Sequence, residues 1–318
     1  MTIIVPEPVL TVENNNHNNV ESRNSHESEK VMEQGEERHD LKLDGGFIVP
    51  ESNAFGISFT KKERKSGVQD FYRKNHINQT YEFARKKKEE YGKLEKAEMS
   101  IWECCELLNE YVYESDPDLD EPQIEHLLQT AESIRRDYPD QDWLHLTALI
   151  HDKSYAAHNP AFGEEPQWRV VGGTFPLGCA FDTAIVHHQY FKENPDHHNP
   201  GFNTKLGIYA ENCGLDNVTM SWGHDEYMYT VAKGNNTTLP PAALFIIRFH
   251  SFCALHRAGA YTFLMNEDDK GMLKWLHVFN KYDLYSKSMV RINHEEVKPY
   301  NLSLIEKYFP SAKLKLKY

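Results

Sequence analysis

Cysteine is scarce in this 318-residue chain, and its five cysteines show no paired spacing. Cys104 and Cys105 are neighbours, whereas Cys179, Cys213 and Cys253 are scattered along the sequence. An odd number of cysteines without a Cys-x-x-Cys motif argues against both a disulfide framework and a zinc site built from thiolates. We therefore expect reduced thiols and a cytoplasmic location.

Positive charge and long apolar runs are also in short supply. The chain has 35 Lys and Arg against 48 Asp and Glu, which gives a formal net charge of -13. A nucleic-acid or anionic-membrane partner would require a basic surface that displaces counterions. No apolar run approaches the roughly 20 residues of a membrane span, and the N-terminus lacks the basic region of a signal peptide. We expect neither partner, and a small neutral or cationic substrate is favoured.

Alternating strand patterns are equally rare, and VVGGTF is the best short candidate for extended chain. Residues 1–45 run through NNNHNNVESRNSHESEKVMEQGEERHD, an acidic, Asn-rich stretch with almost no aliphatic side chains, which predicts a disordered tail. Beyond them, segments such as MSIWECCELLNEYVYE repeat apolar residues at the i, i+3, i+4 and i+7 spacing of helices. The sequence predicts a mainly α-helical fold, with residues 46–318 forming a single helical domain with short extended segments.

Some polar residues fall on helical stripes that should be apolar. Met272, Leu276 and Phe279 share one helix face, and the next residue on that face is Asp283. A buried carboxylate without a partner costs several kcal/mol, so Asp283 should be protonated, paired or bound to a metal. Lys287, one turn further on, is an alternative partner.

Histidines show the same anomaly. His250 lies near the end of the almost wholly apolar PPAALFIIRFHSFCALH, His126 at the edge of an apolar helix face, and His224 in the SWGHDEY turn. A single histidine of this kind is most often a core residue with an ordinary hydrogen-bond partner. The pattern becomes informative only when the histidines are taken together with the aspartates.

The combined set of nitrogen and carboxylate donors comes from five separate segments and consists of His126, His151, Asp152, His224, His250 and Asp283. Four imidazoles and two carboxylates can hold two metal ions, with Asp152 or another carboxylate bridging them. A set without thiolate suits iron or manganese and leaves positions open for substrate and dioxygen, whereas one structural zinc needs only four ligands. The sequence therefore predicts a two-metal catalytic site.

The order H…HD…H…H…D is similar to that of the HD-domain metalloproteins. The surrounding segments WECCELLNEYV, PQW, FPLGCAFD, SWGHDEYMY, LFIIRFHSF and FNKYDLYSK resemble the inositol oxygenase family, especially its plant members, over roughly residues 70–318. The resemblance implies an HD-domain-like helical core. It also implies a non-haem di-iron enzyme in the mixed Fe(II)/Fe(III) state that opens the ring of myo-inositol with dioxygen as co-substrate, giving D-glucuronate. The partner would be this neutral polyol, and a monomer is favoured.

The resemblance also implies roles for individual residues. All six donors named above match iron-ligand positions. The residues that match substrate contacts are Glu114, Ser115, Gly172, Ser251 and Lys287. Of the three His-Asp pairs in the chain, His39-Asp40 falls in the predicted tail, and in His224-Asp225 only the histidine matches a ligand position.

Four substrate positions depart from the family pattern. Thr60 stands where the family has arginine, and Tyr155 where it has lysine. Tyr113 and Gly173 each stand where it has aspartate. These replacements support an alternative hypothesis, a non-catalytic or altered-substrate homologue that keeps its two metals.

Overall fold

Ten α-helices and two short two-stranded sheets form the described part of the chain. A computed structural model describes residues 41–42, 48–49, 61–95, 97–108, 122–152, 166–285 and 291–316. The helices are α1 (Lys61–Asn78), α2 (Tyr81–Tyr91), α3 (Ile101–Leu107), α4 (Gln123–Asp137), α5 (Asp142–Ile150), α6 (His224–Gly234), α7 (Pro241–Phe249), α8 (Cys253–His256), α9 (Glu267–Tyr285) and α10 (His294–Tyr308). The predicted all-α fold class is confirmed.

Both sheets are small and antiparallel. Strand β1 (Leu41–Lys42) pairs with β2 (Ile48–Val49), and β3 (Ala97–Met99) pairs with β4 (Leu314–Leu316). No strand forms over residues 170–175 of the predicted extended VVGGTF, because residues 170–172 are turns; only its end approaches strand pairing, where Phe175 accepts the Ser221 N–H beside an isolated bridge of Pro176 and Met220. The reason is local: Gly172 has a φ of 111°, which turns the chain out of the extended region.

Short-range capping explains where some helices begin. Helix α3 starts with a capping box in which the Ser100 hydroxyl accepts the Glu103 N–H and the Glu103 carboxylate accepts the Ser100 N–H. Helix α2 starts at Thr80, whose hydroxyl accepts the Phe83 N–H. Proline marks the start of α7, where Pro241 occupies the first turn.

Four helices pack against one another around the centre of the core. Helix α4 packs on α5 and α9, and α7 packs on both α5 and α9. Their contact faces contribute the fully buried residues Ile124, Leu127, Leu128, Leu146, Leu149, Ile150, Ile246, Ile247, Leu276 and Phe279. Helix α6 also packs against α7. The ends of α5 and α7 and the start of α6 are thereby fixed inside the protein.

Residues from His39 onward form one compact unit. The boundary between a disordered tail of residues 1–45 and a domain of residues 46–318 stays a prediction, because residues 1–40 lie outside the described part. Among the described residues, no helix has both the length and the apolar character that crossing a membrane requires.

Candidate metal centre

The six predicted donors lie where helices begin or end in the core. His126 is in the first turns of α4, and Asp283 is near the end of α9. His151 directly follows the end of α5 and precedes Asp152, His224 is the first residue of α6, and His250 directly follows the end of α7. Burial of these ends therefore brings donors from five segments into one place.

One group of donors surrounds Asp283. Its Oδ1 lies 3.0 Å from His126 Nε2 and 3.2 Å from His151 Nε2. His151 is completely buried and His126 is 6% exposed. The carboxylate on the apolar stripe of α9 is thus paired with two imidazoles, whereas the alternative partner Lys287 lies outside the described residues.

A second group of donors surrounds one oxygen of Asp152. Asp152 Oδ1 lies 3.1 Å from His250 Nε2 and 3.2 Å from His224 Nε2. Its other oxygen, Oδ2, lies 3.5 Å from His151 Nε2 and 3.7 Å from His126 Nε2. Two sets of three donors, each with all its donor atoms within 4.8 Å of one another, therefore share this carboxylate.

Backbone carbonyls fix the orientation of most of these imidazoles. Three of the four use Nδ1 to donate to a carbonyl: His151 to Ala148 at 2.8 Å, His250 to Ile247 at 3.2 Å and His224 to Val170 at 3.2 Å. Because a carbonyl only accepts, Nδ1 carries the hydrogen and Nε2 points into the centre. Histidines that bind metals are commonly held in this way.

The charges at the centre require a positive counterpart. Burial raises the pKa of the Asp152 carboxyl, but the imidazoles of His151, His250 and His224 outweigh it and hold that pKa well below its usual range. Burial lowers the pKa of His250, but the carboxylates of Asp225 and Asp152 outweigh it and raise that pKa to about 10. Protons on the imidazoles or metal cations at Nε2 can supply this charge.

Ser251, one of the predicted substrate contacts, lies next to this centre. Ser251 Oγ is 3.0 Å from His224 Nε2, and the Ser251 carbonyl accepts the Thr174 N–H at 3.1 Å. That bond holds the Gly172-Gly173 turn next to Ser251. A Cβ on Gly173 would lie 3.7 Å from the Ser251 carbonyl oxygen. Six other positions lie outside the described residues: Glu114, Ser115, Lys287, Thr60, Tyr113 and Tyr155.

Asp225 also belongs to the centre, although no role was predicted for it from the sequence. It is completely buried, and its oxygens lie 2.6 Å from His224 Nε2 and 3.1 Å from Ser251 Oγ. The available signal was helical periodicity, because Asp225 shares a face of α6 with the buried Met228 and Ala232.

An all-helical core that gathers four imidazoles around one shared carboxylate, Asp152, and a second carboxylate, Asp283, with no thiolate in the donor groups of the described residues, defines an HD-domain-type metalloprotein. The comparisons with known proteins narrow this class. A family model described as myo-inositol oxygenase matches residues 65–318, so the chain belongs to the myo-inositol oxygenase family.

Curated relatives agree with this family. The chain is 67% identical over 280 residues to inositol oxygenase 1 of Arabidopsis thaliana, covering 87% of this chain and 90% of the relative. It is 66% identical to a probable inositol oxygenase of Oryza sativa subsp. japonica, covering 88% and 92%. It is 46% identical to an inositol oxygenase of Bos taurus, covering 75% and 83%. The predicted resemblance to the plant members is confirmed.

Proposed function

We propose that this chain is an oxygenase that opens the ring of myo-inositol with dioxygen to give D-glucuronate, using two iron ions held in the mixed Fe(II)/Fe(III) state. Family membership supports the reaction, because the relatives across 75% or more of this chain carry the name inositol oxygenase. The donor groups around Asp152 support the metal centre.

The observation that carries the two-metal assignment is the division of Asp152 between two pairs of histidines. Its Oδ1 faces His224 and His250, and its Oδ2 faces His126 and His151. A carboxylate with each oxygen directed at a different imidazole pair is suited to bridge two cations. Asp283 adds a second carboxylate to the His126 and His151 side only.

The donor set fits iron. It is made of imidazole and carboxylate, which suit iron, and it lacks the thiolates that favour zinc or iron–sulfur clusters. Three or four protein donors per cation leave coordination positions open. When bound, the irons supply redox chemistry with dioxygen and the Lewis acidity that lowers the pKa of a substrate hydroxyl.

The protein side of the reaction consists of orientation and burial. The carbonyls of Ala148, Ile247 and Val170 hold three imidazoles with Nε2 facing inward, so their lone pairs are available without rearrangement. Ser251 is partly exposed and its Oγ lies 3.0 Å from Nε2 of the buried His224, which supports the proposal that Ser251 contacts the polyol at an accessible wall of the centre. A neutral polyol agrees with the expectation of a small neutral or cationic substrate, which follows from the net charge of -13.

We also propose that the protein acts as a monomer in the cytoplasm. All five cysteines are free thiols, three of them buried, which suits a reducing compartment. The names of the relatives support inositol oxygenation over the alternative of a non-catalytic or altered-substrate homologue.

Metal analysis of purified, iron-loaded protein tests the proposed centre. The parent chain should retain about two irons, and Asp152→Ala should retain less than one because both groups lose a donor. His126→Ala should keep about one iron, held by the His224 side. His198→Ala is the matched control, since this exposed histidine donates only to the Lys192 carbonyl among the described residues. Equal iron in Asp152→Ala and the parent would contradict the shared carboxylate.

A further inference from the structure

Asp225 follows His224 in sequence, yet most of its contacts are to other elements. Its Oδ2 accepts the Thr174 hydroxyl at 3.0 Å and the Ser251 backbone N–H at 3.2 Å. Its Oδ1 accepts the Ser251 hydroxyl at 3.1 Å. One buried carboxylate thus holds Ser251 by both its backbone and its side chain.

The Ser251 hydroxyl has a single hydrogen to donate. Its neighbours at hydrogen-bond distance among the described residues are Asp225 Oδ1 and His224 Nε2. Under the proposed function His224 Nε2 binds a metal, so its lone pair is no longer available to the hydroxyl. The hydrogen of Ser251 is therefore directed to Asp225, and the lone pairs of its oxygen are left to other partners.

Ser251 also lies between the buried interior and an accessible wall of the centre, which we define as the partly exposed residues Gly172, Gly173 and Ser251. Asp225 and Thr174 are buried, whereas Ser251, Gly172 and Gly173 are partly exposed. The bond from the Thr174 N–H to the Ser251 carbonyl ties the two sides of this wall together. Asp225 thus connects the start of α6, the end of α7 and the glycine turn.

We propose that Asp225 is a positioning residue that sets Ser251 as a hydrogen-bond acceptor for a substrate hydroxyl next to the second metal group. This inference rests on the proposed function. A hydroxyl that donates to a carboxylate is a stronger acceptor, because hydrogen bonds in a chain polarise one another. The wall therefore favours a ligand that donates a hydroxyl proton. It disfavours one that presents a carboxylate, as the product D-glucuronate does.

The test is a double-mutant cycle of Asp225→Asn and Ser251→Ala, read by calorimetric titration of myo-inositol into iron-loaded protein without dioxygen. In Asp225→Asn the amide oxygen can keep the Ser251 and Thr174 contacts at the Oδ2 position. The amide NH₂ then donates to Ser251 Oγ and turns the hydroxyl hydrogen towards the ligand. We expect about tenfold weaker binding, and no further loss when Asp225→Asn is added to Ser251→Ala.

Asp269→Asn is the matched control. Asp269 is another buried carboxylate, and it accepts the backbone N–H groups of Leu215 and Asn266 at 2.8 and 3.0 Å. Its substitution should lower the unfolding temperature without changing inositol affinity, and iron content is measured for every variant. Unchanged affinity in Asp225→Asn, or losses that add in the double variant, would overturn the positioning role alone. A parent that carries two irons but binds no inositol would overturn the substrate assignment and the inference with it.

Discussion

Arg248 and Glu226 form a buried ion pair between the last turn of α7 and the first turn of α6. Arg248 Nε lies 2.7 Å from Glu226 Oε2, and Nη2 lies 3.3 Å from Oε1. The two residues are 1% and 2% exposed. Because His250 directly follows α7 and His224 begins α6, this ion pair holds together the helix ends that carry the second group of donors.

Arg248→Ala should lower the free energy of unfolding by about 3–5 kcal/mol, because it leaves a buried carboxylate with a partner removed. Lys88 also contacts Glu226 and offsets part of this loss, so a value near 3 kcal/mol is expected. Urea unfolding of the metal-free protein measures it.

Arg136→Ala is the control for that substitution. Arg136 pairs with Asp137 at the surface, and its side chain is 77% exposed, so its removal should cost less than about 1 kcal/mol. Equal losses in the two variants would show that the Arg248 pair does not stabilise the fold.

Gly173→Asp should raise kcat/KM for myo-inositol about tenfold, since it supplies the carboxylate that the resemblance to the family predicts at this position. Among the described residues, a Cβ at this position would meet only the Ser251 carbonyl oxygen within 4 Å, at an ordinary 3.7 Å, so they leave room for a side chain. Steady-state oxygen uptake at varied inositol concentration measures the effect.

Two variants control for the charge and the position. Gly173→Asn has nearly the same shape without the charge and should give a smaller gain. Gly172→Asp should instead lose stability, because Gly172 has a φ of 111°, a backbone conformation that residues with a side chain rarely adopt. A Gly173→Asp variant no better than Gly173→Asn would remove the electrostatic explanation.

Asp142→Asn should make the protein less sensitive to acid. Burial raises the pKa of Asp142, but hydrogen bonds from Lys307 and Tyr308 outweigh it and lower that pKa. A carboxyl whose pKa is lower in the folded state stabilises above its unfolded pKa of roughly 3.9 and loses this contribution as pH falls through the folded value.

The pair at Asp142 is partly exposed, so the expected loss at pH 7 is only about 1 kcal/mol. The difference between parent and Asp142→Asn should shrink as pH falls below about 4. Thermal unfolding across pH measures it, and a difference that grows on acidification would contradict the assigned shift.

Helical periodicity was sufficient to predict the fold class and to single out donors such as Asp283 and His250, whereas His224 came from a turn motif. Asp283 stood out because it follows Leu276 and Phe279 on an apolar face, and both of those residues are fully buried. The family was predictable from long motifs such as SWGHDEYMY. The metal-ligand and substrate-contact roles of individual residues stay predictions.

Tertiary contacts account for what periodicity left out. The ion pair of Arg248 joins residues 22 positions apart, and the bond from Ser251 to Asp225 spans 26. No local pattern specifies such partners. The two oxygens of Asp152 face different histidine pairs because of how α4, α5, α7 and α9 pack with α6. The sequence could therefore suggest a bridging carboxylate, but it could not predict which oxygen faces which pair.

The most direct test of the central claim compares dioxygen consumed with D-glucuronate formed by the iron-loaded parent at saturating myo-inositol. Ring opening of C₆H₁₂O₆ with one O₂ gives C₆H₁₀O₇ and one water, so the two amounts should be equal. Asp152→Ala should show neither. Protein that carries about two irons, yet consumes no dioxygen above background and forms no D-glucuronate, would contradict the account.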